Sequence, residues 1–226
     1  YGSNMLDGQN VRHAISEPLY TNLSYRYQAV GLEKLPSLAD GDARLLPVEV
    51  QRGDKVVDAS GNVVVLEDGV LVVDAAGETV PFAGEPLLLN QMEADFTFKP
   101  LIWSDGTAVS ADDSLFSFEV NAHSENPFGT PVRNEAMLAR TAVYETIGPL
   151  SVRWTGLPGY IDQTYFLNVW EPLPRHQLAD LPAADLLTAE ETVRRPLSTG
   201  PFVLTAWQPG EFIRVTRNPH YYRRAE

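Results

Sequence analysis

Cysteine is absent from the chain, so disulfides and thiolate metal sites are excluded; such a sequence is compatible with an oxidising compartment without requiring one. Long apolar runs are absent as well. Stretches such as Val70–Val73 and Leu87–Leu89 fall far short of the ~20 residues that a membrane-spanning helix needs. No basic segment followed by an apolar one opens the sequence, and any export signal is therefore expected to have been removed. Positive charge is scarce: 17 Lys and Arg stand against 30 Asp and Glu, a formal net charge of −13. With no basic stripe to neutralise phosphates, nucleic acid is not an expected partner. The acidic residues are scattered rather than blocked, which reads as a solvated surface. His13, His123, His176 and His220 form no His-x-His or His-x-x-x-His pair, and neither a metal site nor a cofactor is expected. A Gly-x-Ser-x-Gly elbow, a P-loop and a dinucleotide-binding glycine fingerprint are all missing.

What is present is ordinary globular material: 226 residues, 44% apolar and 21% charged, enough for one large domain or two modest ones. Val11, Ile15 and Leu19 recur at helical spacing behind Asp7, which is expected to cap a short amphipathic helix that Pro18 ends or bends. From Leu45 to Phe98 the texture changes to short β-branched runs separated by turn signals at Arg52-Gly53-Asp54, Ser60-Gly61-Asn62, Asp68-Gly69 and Ala76-Gly77-Glu78. This spacing predicts a meander of small hairpins, read as a β-rich subdomain and not a repeat array because no side-chain motif is shared between the segments.

The stretch 103–113, Trp-Ser-Asp-Gly-Thr-Ala-Val-Ser-Ala-Asp-Asp, gathers Asp105, Asp112 and Asp113 behind a tryptophan. Three carboxylates this close suit a cation site, an acid/base pair, or no chemistry at all. A calcium loop needs oxygen ligands at positions 1, 3, 5 and 12 around a glycine, and that spacing is absent. Phe96, Phe98 and Leu101 alternate as in a half-buried strand, Asp105-Gly106 turns the chain, and Ser110 precedes the apolar pattern Leu115, Phe116, Phe118 and Val120. Ser110 with Asp113 three residues on is close to a capping box, and both aspartates fall where a helix dipole favours negative charge. The cluster therefore reads as a turn and a helix start.

Further on, residues 131–147 read as a helix running into a strand and 150–156 as another strand, with helix-sized segments around Gln177 and Ala184–Arg194. A hairpin closes the sequence, its strands at 201–207 and 212–218 joined through Gln208-Pro209-Gly210-Glu211. The aromatic run Tyr160, Tyr165, Phe166 and Trp170 is explained more readily by core packing than as a ligand wall. Asn22-Leu23-Ser24 is a lone glycosylation-type triplet. From the residues alone this is an acidic α+β chain without a visible catalytic constellation.

Three stretches, in order, carry a resemblance. The segment from Phe96 to Glu119 resembles the most characteristic part of the family 5 extracellular solute-binding proteins, where a strand leads through an aromatic-Ser-Asp-Gly turn into an Ala-x-Asp helix start. Ile15 to Leu23, followed by Leu35 to Gly41, looks like the family's early Glu-x-Leu helix and its Pro-x-Leu-Ala segment. Residues 196–222 are similar to its Gly-Thr-Gly-Pro-Tyr hairpin ending in Arg-Asn-Pro-x-Tyr, with Ser198-Thr199-Gly200 for Gly-Thr-Gly and Phe202 for the tyrosine.

The resemblance implies an α+β, periplasmic-binding-protein-like fold (type II, cluster C-like), here an N-terminal lobe with a mixed sheet and a β-rich subdomain, incomplete. It implies a first domain from 1–18 plus 175–226, an inserted subdomain at 19–174, and a third, closing lobe absent from this chain. The implied function is non-enzymatic: the substrate-binding component of an ABC importer, capturing a peptide-like solute for the permease's transmembrane subunits. Carried over by position, solute contacts fall on Asn4 and Leu6 and on Phe128, with Trp170 a further wall residue. An extracellular or periplasmic location is implied, with lipoprotein anchoring in the full-length protein. Self-association is expected through an uncovered sheet edge near Phe202–Trp207. Two other classes stay open: a carboxylate-dependent hydrolase acting on carbohydrate, and a structural or adhesive β-rich module.

Overall fold

The computed structural model describes residues 6–123, 132–208 and 210–223. The first element is helix α1 (Leu6–Ile15), so Asp7 lies inside the helix instead of capping it. The helix stops three residues before Pro18, and Leu19 is a buried core residue outside it. Two short strands, β1 (Tyr20–Thr21) and β2 (Gln28–Ala29), pair as a small hairpin.

β3 (Ala43–Val50) leads into four three-residue strands, β4 (Lys55–Val57), β5 (Val63–Val65), β6 (Leu71–Val73) and β7 (Thr79–Pro81), and then into the long β8 (Leu87–Thr97). Helices α2 (Ala111–Ala122) and α3 (Val132–Arg140) follow, then β9 (Thr141–Gly148) and β10 (Ser151–Gly156). Single-turn helices α4 (Arg175–Leu178) and α5 (Glu190–Val193) precede the closing hairpin, β11 (Phe202–Gln208) with β12 (Phe212–Arg217).

The main sheet is antiparallel in the order β3-β8-β10-β9. Met92, Ala94 and Phe96 on β8 bury one face with Ala43, Val152 and Trp154, and Phe98 just past the strand joins them. Farther along the same two-stranded ribbon the opposite face is buried. Leu87 and Leu89, paired with Val50 and Val48, pack instead against Val56, Leu66, Val72 and Phe82 of the small hairpins. Because successive side chains alternate faces, odd positions of β8 serve one core and even positions the other. Leu45 and Leu46 lie between the two cores and are exposed. Across the ribbon, Arg44, Glu93, Asp95 and Arg153 form an ion-pair ladder, with Arg44 to Asp95 at 2.9 Å and Arg153 to Asp95 at 2.7 Å.

The small hairpins correct the sequence reading: they are a repeat. Val56-Val57-Asp58-Ala59-Ser60-Gly61 recurs 16 positions later as Val72-Val73-Asp74-Ala75-Ala76-Gly77. Asp58 accepts from the Ser60 and Asn62 N–H groups at 2.9 and 2.8 Å, and Asp74 accepts from Ala76 and Glu78 at 2.9 Å each. The Leu66 N–H reaches the Asp54 carbonyl, as the Phe82 N–H reaches that of Val70. Gly53 and Gly69 likewise donate to Leu66 and Phe82. The repeated signal runs from the Val-Val ends of β4 and β6 into the turns, where aspartate organises the backbone. The meander is also interrupted: β3 pairs with β8, across both hairpins, rather than with its sequence neighbour.

The repeat module is fastened to the body at the loop after β10. The Val57 N–H donates to the Pro158 carbonyl (2.9 Å), the Gly159 N–H to Asn90 (2.9 Å), and the Arg140 guanidinium to Gly61 (3.0 Å). Gly159 has φ +83°, and a Cβ there would lie 2.5 Å from the Val57 carbonyl oxygen, so only glycine fits.

Candidate functional site

Two seams bring distant parts of the chain together. At the first, the end of α1 meets the start of β11. The Gly200 N–H donates to the Ile15 carbonyl at 2.8 Å, and the Ser198 hydroxyl donates to the same oxygen. A Cβ on Gly200 would come within 2.7 Å of the Ile15 backbone, which is why the Ser-Thr-Gly turn ends in glycine. Glu17, only 8% exposed, accepts from the Tyr221 hydroxyl at 3.1 Å and the Tyr222 hydroxyl at 2.7 Å. Burial, reinforced by the Glu17 carboxylate, pushes the Tyr222 pKa up, so this phenol stays a donor.

The second seam answers the question of the acidic cluster. Asp113 is 4% exposed, and its carboxylate collects N–H donors. Oδ2 accepts from the Ser110 backbone at 2.9 Å and from the Trp103 indole at 3.2 Å, while Oδ1 accepts from the Arg175 backbone at 3.0 Å. The start of α2 thus carries the expected capping box, Asp113 accepting from the Ser110 N–H, and the Ser110 hydroxyl also donates to Asp113 Oδ2 at 3.4 Å. Asp105 accepts from the Thr107 N–H at 2.9 Å and pairs with His176 Nε2 at 2.9 Å. Burial works to raise the Asp105 pKa, but Thr107 and His176 outweigh it and hold the carboxyl below its usual range. Asp112 is exposed.

Of the residues expected to touch solute, Asn4 and Phe128 lie outside the described residues. Leu6 opens α1. Trp170 is placed in the main core, 3% exposed, edge-to-face with Tyr144 at 4.8 Å and Phe118 at 4.9 Å between ring centroids. It is held there by a closed circuit. The Tyr144 hydroxyl donates to Ser114 Oγ (2.7 Å), the Ser114 hydroxyl donates to the Trp170 carbonyl (2.6 Å), and the Trp170 N–H returns to the Tyr144 oxygen (3.2 Å). The donors follow from accounting: a carbonyl only accepts, so the serine proton goes there and tyrosine must supply the other. The indole N–H of Trp170 is buried without an acceptor. The structure thus brings Trp170 together with α2 and β9, with its ring facing inward.

Sequence reasoning missed Glu171, the next residue, which is exposed beside the buried Trp170. No sequence signal marks it beyond its place beside Trp170. Among the described residues, Glu17 is engaged with two phenols, Asp95 with two guanidiniums and Asp113 with three N–H groups.

Comparison with known proteins places this geometry. Residues 91–226, more than half of the chain, match the family described as bacterial extracellular solute-binding proteins, family 5. A binding protein of Brucella melitensis is 32% identical over 153 residues, covering 63% of this chain and 23% of that protein. The oligopeptide-binding protein AppA of Bacillus subtilis is 26% identical over 129 residues, 55% of this chain and 22% of the relative. The chain thus spans about a quarter of the curated relatives it matches. Among solved structures, the oligopeptide-binding protein of Thermus thermophilus, complexed with a pentapeptide, superposes with a TM-score of 0.63 at 18% identity, over 97% of this chain and 34% of that one. That likeness establishes a periplasmic-binding-protein-like fold for a chain whose sheets and helices are mixed. By its family match, this chain belongs to the family 5 bacterial extracellular solute-binding proteins.

Proposed function

We propose that this chain is part of the substrate-binding component of an ABC importer, taking up a peptide-like solute outside the cytoplasmic membrane and passing it to the permease's transmembrane subunits. The family match carries the reading, and relatives named as oligopeptide-binding proteins support the solute class. No helix among the described residues is long and apolar enough to cross a membrane, and anchoring through a lipid on the full-length protein is part of the proposal.

In this reading the first domain comprises 1–18 plus 175–226 and the inserted subdomain 19–174. The contacts of Ile15 and Glu17 with Ser198–Gly200 and with Tyr221 and Tyr222 support that division. A third lobe, supplied by sequence outside this chain, closes over the solute by hinge motion. On the resemblance, Asn4, Leu6 and Phe128 contact the solute; Trp170, proposed with them as a wall residue, lies in the core, and Glu171 beside it is exposed. Main-chain hydrogen bonding to an extended peptide gives sequence-tolerant affinity. Every residue of β12 is exposed, which supports self-association of the isolated chain through the terminal hairpin.

Purification of the full-length protein from its own cells, followed by native mass spectrometry, tests the function. A co-purifying peptide or peptide-like compound, released on unfolding, is expected. A protein that carries no solute, and that turns over glycans or esters instead, would sink the reading.

A further inference from the structure

The hairpin of β1 and β2 ends in a tip that the fold leaves uncovered. Leu23 is 91% exposed and Tyr25 101%, so both side chains stand free of the body. Tyr25 has φ +61°, a backbone conformation that suits glycine or asparagine and that a bulky aromatic adopts at a cost. A strained residue that contributes nothing to this core points to a contact beyond the described residues. Behind the tip, Tyr27 stacks edge-on with Tyr20 (6.1 Å) and Phe166 (5.5 Å), joining the exposed end to the body through aromatic rings.

The charge pattern says what kind of surface this is. In a chain with 30 acidic residues, none falls between Pro18 and Leu32, where Arg26 is the single charge. The segment beneath it, Gln163 to Trp170, is also free of acid, and Asp162 at its edge is turned onto Thr164 and Asn168. A body of net charge −13 approaches a membrane carrying anionic lipid most easily with such a face forward. Leu and Tyr are too few to hold an acidic protein on lipid alone, whereas tyrosine set into an apolar protein pocket is the common anchor of an interface.

We infer that the Leu23–Tyr25 tip docks in an apolar pocket on the extracytoplasmic face of the importer's membrane subunits, with Arg26 meeting acceptor oxygens at its rim. This rests on the importer reading above. The test places p-benzoylphenylalanine at position 25 of the full-length protein in its own cells and illuminates the membranes. An adduct with an integral membrane protein of the importer is expected, its yield falling at least fivefold with Leu23→Ser and Arg26→Glu. Adducts with lipid, with a second copy, or with sequence of the same chain beyond residue 226 would each overturn the inference, as would no adduct at all. Tyr25→Asn, whose side chain suits the turn, guards against misfolding: the purified variant should bind its co-purified solute unchanged while uptake falls at least fivefold. Unchanged uptake overturns the docking site and leaves the importer reading standing; loss of solute from the unaltered protein defeats that reading separately.

Discussion

Replacing Asp113 should cost more stability than any other single change in the Trp-Ser-Asp-Gly to Ala-x-Asp stretch, and the structure gives the size. Its carboxylate accepts from three N–H groups in three places: the start of α2, the Trp103 indole, and the backbone entering α4. A buried donor deprived of its acceptor costs about 1–3 kcal/mol. Asp113→Ala strands all three, for an expected loss of about 3–5 kcal/mol once water and small shifts recover part. Asp113→Asn distinguishes the two oxygens. Its one carbonyl oxygen can replace Oδ2 and keep Ser110 and Trp103, but the amide NH2 then faces the Arg175 N–H, donor against donor. About 2–3 kcal/mol is expected, with amide exchange accelerated at Arg175 and not at Ser110. Urea unfolding followed by tryptophan fluorescence measures both. Adding Trp103→Phe to Asp113→Ala removes one stranded donor, so the double variant should lose less than the sum of the singles. Asp113→Asn within about 0.5 kcal/mol of the parent, or a calcium-dependent rise in Tm of several degrees, would refute the capping account.

Three further outcomes are expected. Gly159→Ala should lose at least about 2 kcal/mol, with exchange protection falling first in β4 to β7, because the new Cβ strains a left-handed backbone and strikes the Val57 carbonyl; retention of protection there would mean the module is fastened elsewhere. Asp105 has a depressed pKa, so its contribution to stability is present above the unfolded value of about 4 and is lost as pH falls through the folded one; Asp105→Asn should flatten that acid limb, and an unaltered limb would assign it to other carboxylates. Asp58→Ala should shift the urea midpoint further than Asp74→Ala, since each turn gives its aspartate two backbone N–H groups but Asp58 also accepts from the Asn62 amide at 3.1 Å; a larger shift for Asp74→Ala would refute that account of the turns.

Local signals were legible where a period and a stop signal coincide. β11 and β12 follow from alternation around Pro209-Gly210, and α2 from an acidic first turn before an apolar pattern. α1 was misplaced because helical spacing fixes a face and not an end, and Asp7 is as acceptable inside a first turn as before it. The pairing of β3 with β8 was illegible, since nothing local in Val48 or Leu89 says that 40 intervening residues fold away as two hairpins. The repeat is readable in the Val-Val-Asp-Ala-x-Gly stretch of each unit and not in its second strand, where three valines stand against a Thr-Val-Pro. Asn4, Leu6 and Phe128 rested on resemblance, as no chemistry sets them apart from loop residues. The core-packing reading of the aromatic run holds for Trp170, whose burial is fixed by Tyr144 and Ser114, 26 and 56 positions away.

The two-faced ribbon of β3 and β8 makes the hairpin module an outrigger. Its hydrophobic interior is separate from that of the lobe, so the lobe's packing does not record how far the arm extends. The unit of extension is 16 residues, and because β8 takes its register from β3, an added or deleted copy would leave every side chain of β8 on its present face. Arm length is therefore a quantity that duplication can change in whole steps while the lobe that carries it stays in register.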